Sequence, residues 1–261
     1  YELRIYTAKE GKLAALQARF KDHTCKLFEK HGLTNIGYWV PVDAKDNRLI
    51  YVISSPNRAA HTKSWKAFLN DPDWKKAYAD STKNGRLVAK IESTFLGAMD
   101  YSPKVKPGKA KGGRVFELRT YVTAENRLKN LHARFRDHTC ALFEKHGMTN
   151  IAYWTPMDEK NGRANTLTYI ISHKSQQQAG ANMIHGLVHA MVRGTRRERQ
   201  ELPMYGSWEG CTVMCTHTCE RTQILPYIRY MKRSWQCAIT NRRQMPYMEH
   251  VTVTCVIDVT A

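Results

Sequence analysis

A stretch of eighteen residues occurs twice in this chain: DHTCKLFEKHGLTNIGYW at Asp22–Trp39 and DHTCALFEKHGMTNIAYW at Asp137–Trp154, identical at fifteen positions. The likeness extends well beyond the stretch. Tyr1–Asp43 aligns without gaps on Phe116–Asp158 with 27 identities in 43, and after a three-residue insertion RLIYVISS (Arg48–Ser55) answers NTLTYIISH (Asn165–His173). A repeat of this length means two structural units of one kind. Between them lies YSPKVKPGKAKGGR (Tyr101–Arg114), rich in Lys, Gly and Pro and poor in apolar residues, a solvated linker. The boundaries are a first unit at 1–103, a basic linker at 104–115, a partial second unit at 116–174 and an atypical tail at 175–261.

Hydrophobic periods give the first unit its elements. YELRIYT alternates, Leu3 and Ile5 on one side and Glu2, Arg4 and Tyr6 on the other, which reads as a half-buried strand. Thr7-Ala8-Lys9-Glu10 has capping-box spacing and is expected to open the following helix. Leu13, Leu16, Phe20, His23, Leu27 and His31 recur at steps of three and four, one stripe of a five-turn helix that Gly32 stops. TNIGYWVP and RLIYVISS read as two strands joined by the turn around Ala44-Lys45-Asp46-Asn47. A second helical region carries Trp65 and Phe68. It restarts at Asp71-Pro72, a cap and a first-turn proline, and ends at Asn84-Gly85. LVAKIESTF closes the unit as a strand. The order β-α-β-β-α-β is the ferredoxin-like arrangement, an α+β antiparallel sheet with both helices on one face.

These residues also resemble a known family. YELRIYT, FKDHTCKLFEKHG, NIGYW, SWKAFLNDPDW, KIESTF and DYSP are similar to the NIPSNAP domain over Tyr1–Pro103 and again from Phe116 to about Lys174, and the tandem arrangement resembles bacterial two-domain members. The resemblance implies tandem ferredoxin-like domains of the dimeric α+β barrel type, in which two sheets pack face to face, with the second domain incomplete. Pairing of sheet faces is therefore expected, within the chain as a pseudo-dimer or between chains as a homodimer. The family name carries no phosphatase activity, and bacterial members have no settled biochemistry.

Composition narrows the functional classes. The formal charge is +18 over 261 residues, but it is spread as +6 on 1–103, +5 on 104–115, +3 on 116–174 and +4 on the rest. With RNP-type aromatics, zinc-finger spacings and Arg-rich helices all absent, no nucleic-acid partner is expected. No run approaches the length of a membrane span. The chain opens on Tyr1 within a strand pattern, so its start is expected to have been removed, along with any export signal. Nucleophile elbow, phosphate loop, Rossmann glycines and paired carboxylates are absent, and no cofactor is expected.

Candidate ligand-binding residues follow from the strand faces. If Leu3 and Ile5 pack under the helices, Glu2, Arg4 and Tyr6 line the barrel interior, as do Glu117, Arg119 and Tyr121 in the second copy; a small ligand could be held there. The competing reading is an Arg–Glu pair covering a sheet face. His23 and His138 fall on the helical stripe, as buried structural imidazoles or as bases. Tyr38 and Trp39, like Tyr153 and Trp154, are strand neighbours, so only one of each pair can face a given cavity. Cys25 and Cys140 are single thiols and no disulfide framework.

The tail departs from the repeat. Residues 175–261 hold nine Arg and one Lys, no Asp before Asp258, and five of the seven cysteines. Cys211, Cys215, His217 and Cys219, with His185 and His189 upstream, match no standard zinc finger, and no metal site is expected. The preferred account is a reading-frame shift near Ser175–Ala181. Its rival is a tail that rebuilds the domain, with a helix over Met183–Val192 and a final strand in HVTVTCVIDVTA. For function, a non-catalytic module binding a ligand or partner is preferred. The alternative is a small-substrate enzyme resembling the antibiotic-biosynthesis monooxygenases of the same barrel type.

Overall fold

The computed structural model describes residues 1–105, 114–175, 178–179, 213–214, 238–239 and 248–258. The first unit contains β1 (Glu2–Ala8), α1 (Leu13–Arg19), α2 (Cys25–Lys30), β2 (Thr34–Pro41), β3 (Arg48–Ser54), α3 (Arg58–Asn70), α4 (Pro72–Thr82) and β4 (Val88–Ala98). The second contains β5 (Val115–Thr123), α5 (Leu128–Arg134), α6 (Cys140–Lys145), β6 (Thr149–Pro156) and β7 (Thr166–His173). A two-stranded pair, β8 (Val213–Met214) and β9 (Ala238–Ile239), precedes β10 (Met248–Asp258).

The expected α+β order is present in the first unit, and its caps work as the sequence implies. Asn57 caps α3 through Ala60 N–H, Asp71 caps α4 through Asp73 N–H, and Gly32 takes φ +79° to end α2. The Thr7–Glu10 capping box does not form. Thr7 and Ala8 belong to β1, and α1 begins at Leu13 after an N-cap Lys12 without a side-chain cap bond.

The long helix is also not uniformly α-helical. A π-helical turn at Phe20–Thr24 separates α1 from α2, and an identical turn at Phe135–Thr139 separates α5 from α6. Thr24 Oγ1 donates to Arg19 O at 3.2 Å and Thr139 Oγ1 to Arg134 O at 3.2 Å, side-chain bonds across the widened turn. One extra residue in the turn rotates everything beyond it. The buried stripe therefore runs Leu16, Phe20, Thr24, Leu27, Phe28, and His23 and His138 turn outward into solvent. Their expected place on the apolar stripe is corrected on that account.

Eight strands close into one barrel in the order β1-β3-β2-β10-β5-β7-β6-β4. The closing strands cross between units: β4 pairs with β1 and then, at Leu96–Ala98, with β6. By the same pattern β10 pairs with β5 and then, at Val256–Asp258, with β2. Thr254 faces Leu118 as Thr94 faces Leu3, so β10 occupies in the second unit the register that β4 occupies in the first. A strand in HVTVTCVIDVTA is what the rival account of the tail expects, and not what the preferred frame shift implies. The helix expected over Met183–Val192, and the Cys211, Cys215, His217, Cys219, His185 and His189 group, lie outside the described residues.

Two kinds of core result. Leu3, Trp39, Ile50, Val52, Leu96, Phe116, Leu118, Trp154, Ile170 and Val256 form one buried cluster drawing on both units, with Ile5 and Ile151 packed against it; this fills the barrel. On the outer faces, Tyr6, Tyr38, Tyr51 and Ile53 pack under Leu16, Phe20, Phe28 and Phe68. In the second unit Tyr121, Tyr153, Tyr169 and Ile171 pack with Leu131 and Phe135. The strand faces are thus the reverse of the expected ones: Leu3 and Ile5 point into the barrel, while Glu2, Arg4 and Tyr6 lie beneath the helices. Both faces of β1 are covered, so its alternation gives the period without saying which face is enclosed. The wholly apolar set goes between the sheets. Under the helices of the first unit, α3 supplies His61 as a partner for Glu2.

Candidate functional site

The chemistry expected of the barrel interior is found instead between sheet and helices, once in each unit. In the first, the Glu2 carboxylate is buried and receives Arg4 Nη1 at 2.5 Å, Ser93 Oγ at 2.5 Å and His61 Nε2 at 2.7 Å. β1 carries Glu2 and Arg4 two residues apart, so they share a face. Ser93 stands on β4 directly across from Arg4, and α3 brings His61 over the top. Arg4 also donates to Tyr6 Oη at 3.2 Å, and its guanidinium lies 4.2 Å from the centre of the Trp65 ring. Burial pushes the Glu2 carboxyl upward, but the His61 bond, the Arg4 charge and the Ser93 bond outweigh it, leaving its pKa below the ordinary value.

In the second unit Glu117 and Arg119 repeat the pair with no exposed atoms on the carboxylate. Arg119 Nε donates to Glu117 Oε2 at 2.6 Å, and Nη1 approaches the Tyr121 and Tyr169 hydroxyls at 3.4 Å. The imidazole beside the carboxylate is His173, Nε2 2.9 Å from Glu117 Oε1, both side chains fully buried. His173 belongs to β7, where the first unit carries Ser55 just after β3. Burial raises the Glu117 carboxyl, and the Arg119 and His173 interactions bring it below the ordinary value.

The other candidates are distributed by face. Tyr38 and Tyr153 lie under the helices, stacked on Tyr51 and Tyr169 at interplanar angles of 16°, and each donates to an asparagine, Tyr38 to Asn35 and Tyr153 to Asn150, at 2.5 Å. Burial first, then the nearby Cys25 thiol, raises the Tyr38 hydroxyl well above its ordinary pKa, so it stays protonated. Trp39 and Trp154 point the other way, into the barrel, and neither indole N–H meets an acceptor among the described residues. Trp39 folds back over Gly37, where a Cβ would stand 2.5 Å from its Cζ2; the second unit has Ala152 at this place. Arg4, Tyr6, Arg119 and Tyr121 are therefore brought together in pairs, Tyr38 and Tyr153 flank them on the same side, and Trp39 and Trp154 are not part of that side. His23 and His138 join neither.

Sequence reasoning missed His61, His173 and Ser93 as partners of the carboxylates. All three sit on other strands or helices, and nothing in the spacing of β1 or β5 announces them. The Ser55-to-His173 exchange between the copies was the available signal. The inter-unit contacts are polar as well: Arg58 grips Asp158 through two bonds of 2.6 and 2.8 Å. Met99 and Tyr101, following β4, pack on the second unit's helix face, where Tyr101 Oη meets His132 Nδ1 at 2.8 Å and Asp100 pairs with Arg136. Burial and the Arg136 charge hold His132 below the usual imidazole pKa. Among the described residues no three His, Cys, Asp or Glu side chains gather as metal ligands, and no helix is long and apolar enough to cross a membrane.

This geometry can be set beside known proteins. The NIPSNAP family model matches residues 1–103 and 116–183. The chain belongs to the NIPSNAP family. A solved "putative monooxygenase" from Lactobacillus acidophilus shares 11% identity over 98% of this NIPSNAP chain and 92% of its own, with a TM-score of 0.52, a likeness of fold alone. A second, from Fusobacterium nucleatum, is 10% identical over 100% and 94%, TM-score 0.48. An uncharacterized NIPSNAP-like domain protein from Burkholderia xenovorans is 16% identical, covering 42% of this chain and 93% of its own, TM-score 0.37. No curated protein matches the sequence.

Proposed function

We propose that this NIPSNAP chain is a non-catalytic binding module whose barrel is a packed scaffold. The observation that carries this reading is the filling of the barrel: Leu3, Trp39, Ile50, Val52, Leu96, Phe116, Leu118, Trp154, Ile170 and Val256 are each at most 8% exposed and interlock between the sheets. Close-packed apolar residues dominate this interior, and the polar groups that the described residues turn toward it are few, the two indoles and buried hydroxyls such as those of Thr168 and Thr254. The ionisable groups on the helix side are spent on one another. A carboxylate whose pKa lies below normal and which already holds a guanidinium and an imidazole is a poor base at neutral pH. It is well suited to fixing the register of β1 against α3 and β4.

The alternative, a small-substrate enzyme resembling the antibiotic-biosynthesis monooxygenases, draws support from one feature: the unpartnered indole N–H groups of Trp39 and Trp154, two donors facing the space between the sheets. Native mass spectrometry and the absorption spectrum of the purified full chain separate the two readings. A module gives the mass and ultraviolet spectrum of the polypeptide alone, and Arg4→Ala lowers thermal stability with no bound species appearing or disappearing. A co-purifying aromatic or haem lost on Trp39→Phe, and consumed or converted by the full chain, would overturn the reading of a packed, non-catalytic barrel in favour of the alternative.

A further inference from the structure

β4 is covered unevenly. Its end, Leu96–Ala98, is paired on both sides, with β1 and with β6. Its beginning is paired with β1 alone. Leu96 N–H donates to Tyr1 O, so the alternate residues Ile91 and Ser93 turn their backbone N–H and C=O away from β1, toward an edge with no strand partner among the described residues. Residues 89–93 are all exposed. Ile91, at 52%, is the most exposed large apolar side chain among them, and Met157, 44% exposed, stands where the edge begins, donating its N–H to Phe95 O. Natural edges are blunted by charge, proline or a covering element, since a bare edge is a template for another strand. This one keeps only Lys90 and Glu92, which bond each other at 2.8 Å.

We infer that the free edge of β4 pairs antiparallel with β4 of a second copy of this chain, about a two-fold axis through Ile91. The charge pattern selects that occupant and that register. With Ile91 opposite its own counterpart, Lys90 of each copy stands directly across from Glu92 of the other, on one face, at a non-hydrogen-bonded position where side chains approach most closely. Two ion pairs form where a shift of one residue would break them. Ile91 exchanges both outward backbone bonds with its mate, and the two exposed Ile side chains cover each other. An isologous contact of this kind closes at two copies. It extends the barrel wall from one chain into the next and leaves the interior untouched. It stands on the strand geometry and is independent of whether the chain is a module or an enzyme.

The test is sedimentation equilibrium of the full chain at about 0.15 M salt, where long-range repulsion between +18 chains is screened. Wild type is expected to dimerise in the micromolar range. Glu92→Lys sets Lys against Lys twice and should weaken the dimer about tenfold or more. The double exchange Lys90→Glu with Glu92→Lys restores complementarity and should restore the dimer, with the same circular dichroism and melting temperature throughout. A wild type that stays monomeric to about 200 µM, or a dimer indifferent to Glu92→Lys, or one the double exchange fails to rescue, overturns the proposal. Lys90 and Glu92 are exposed, so none of these variants threatens folding.

Discussion

The two units build the same buried ion pair from the same strand and complete it differently. In the first, Glu2 and Arg4 draw their imidazole from α3, and the Arg4 guanidinium lies against the Trp65 ring, its buried Nε without a partner among the described residues. In the second, Arg119 commits its Nε to Glu117, and the imidazole comes from the sheet itself, His173. A repeat therefore conserves the demand for a partner at the carboxylate and not the place it comes from. The Glu-x-Arg-x-Tyr pattern of β1 and β5 fixes a charge that must be neutralised once buried, and the nearest element able to reach it supplies the group.

The largest effect expected from this contrast is on stability. Glu117→Gln leaves the Arg119 guanidinium buried without a counter-charge and should cost about 3–5 kcal/mol by urea unfolding. Glu2→Gln should cost roughly half as much, since the Arg4 guanidinium keeps the Trp65 ring 4.2 Å away as a second partner. Equal costs would mean that the two clusters are not different in kind.

Acidification sharpens the same comparison. Both carboxyls have folded pKa values below the ordinary value of about 4.3, so the unfolded chain binds the more protons near that pH. The stability they contribute is present above that value and is lost as pH falls through their folded values. Unfolding free energy measured from pH 6 to pH 3 should fall steeply in wild type, and less steeply in either Gln variant. A slope unchanged in Glu117→Gln would place the acid sensitivity elsewhere.

Inside the barrel the contrast is one of space. Gly37→Ala pushes a methyl into the Trp39 ring and should cost about 1–3 kcal/mol. The opposite exchange, Ala152→Gly, loses only a small buried group and should cost about 1 kcal/mol. If Gly37→Ala is tolerated as well as Ala152→Gly, Trp39 has room to move, and the barrel is looser than its packing implies.

How much of this was legible in the sequence depended on the range of the interaction. The element order, the caps at Asp71 and Gly32 and the opposite facing of Tyr38 and Trp39 are local or follow from the repeat. The facing of β1 was misread because both its faces are buried, and a period of two does not distinguish a helix-covered face from an enclosed one. The partners His61, Ser93 and His173 join Glu2 or Glu117 only through the fold. The π-turns were hidden for a subtler reason: the 3.6-residue period was extended through Phe20–Thr24, although a single wide turn changes its phase without interrupting the helix.

That phase change carries the smallest and most specific expectation. On an unbroken helix His23 and His138 would stand on the buried stripe, and replacing either would cost what a lost buried hydrogen bond costs, roughly 1–3 kcal/mol. With the π-turn in place both are exposed, so His23→Ala and His138→Ala should each change stability by less than about 0.5 kcal/mol. Thr24→Val, by contrast, removes the Oγ1 bond to Arg19 O from a fully enclosed site and should cost about 1 kcal/mol more than Thr139→Val, whose hydroxyl is less buried. A silent pair of histidines beside an unequal pair of threonines is the signature of a helix rephased by one residue. Histidine variants as costly as Thr24→Val would return the stripe to its unbroken course.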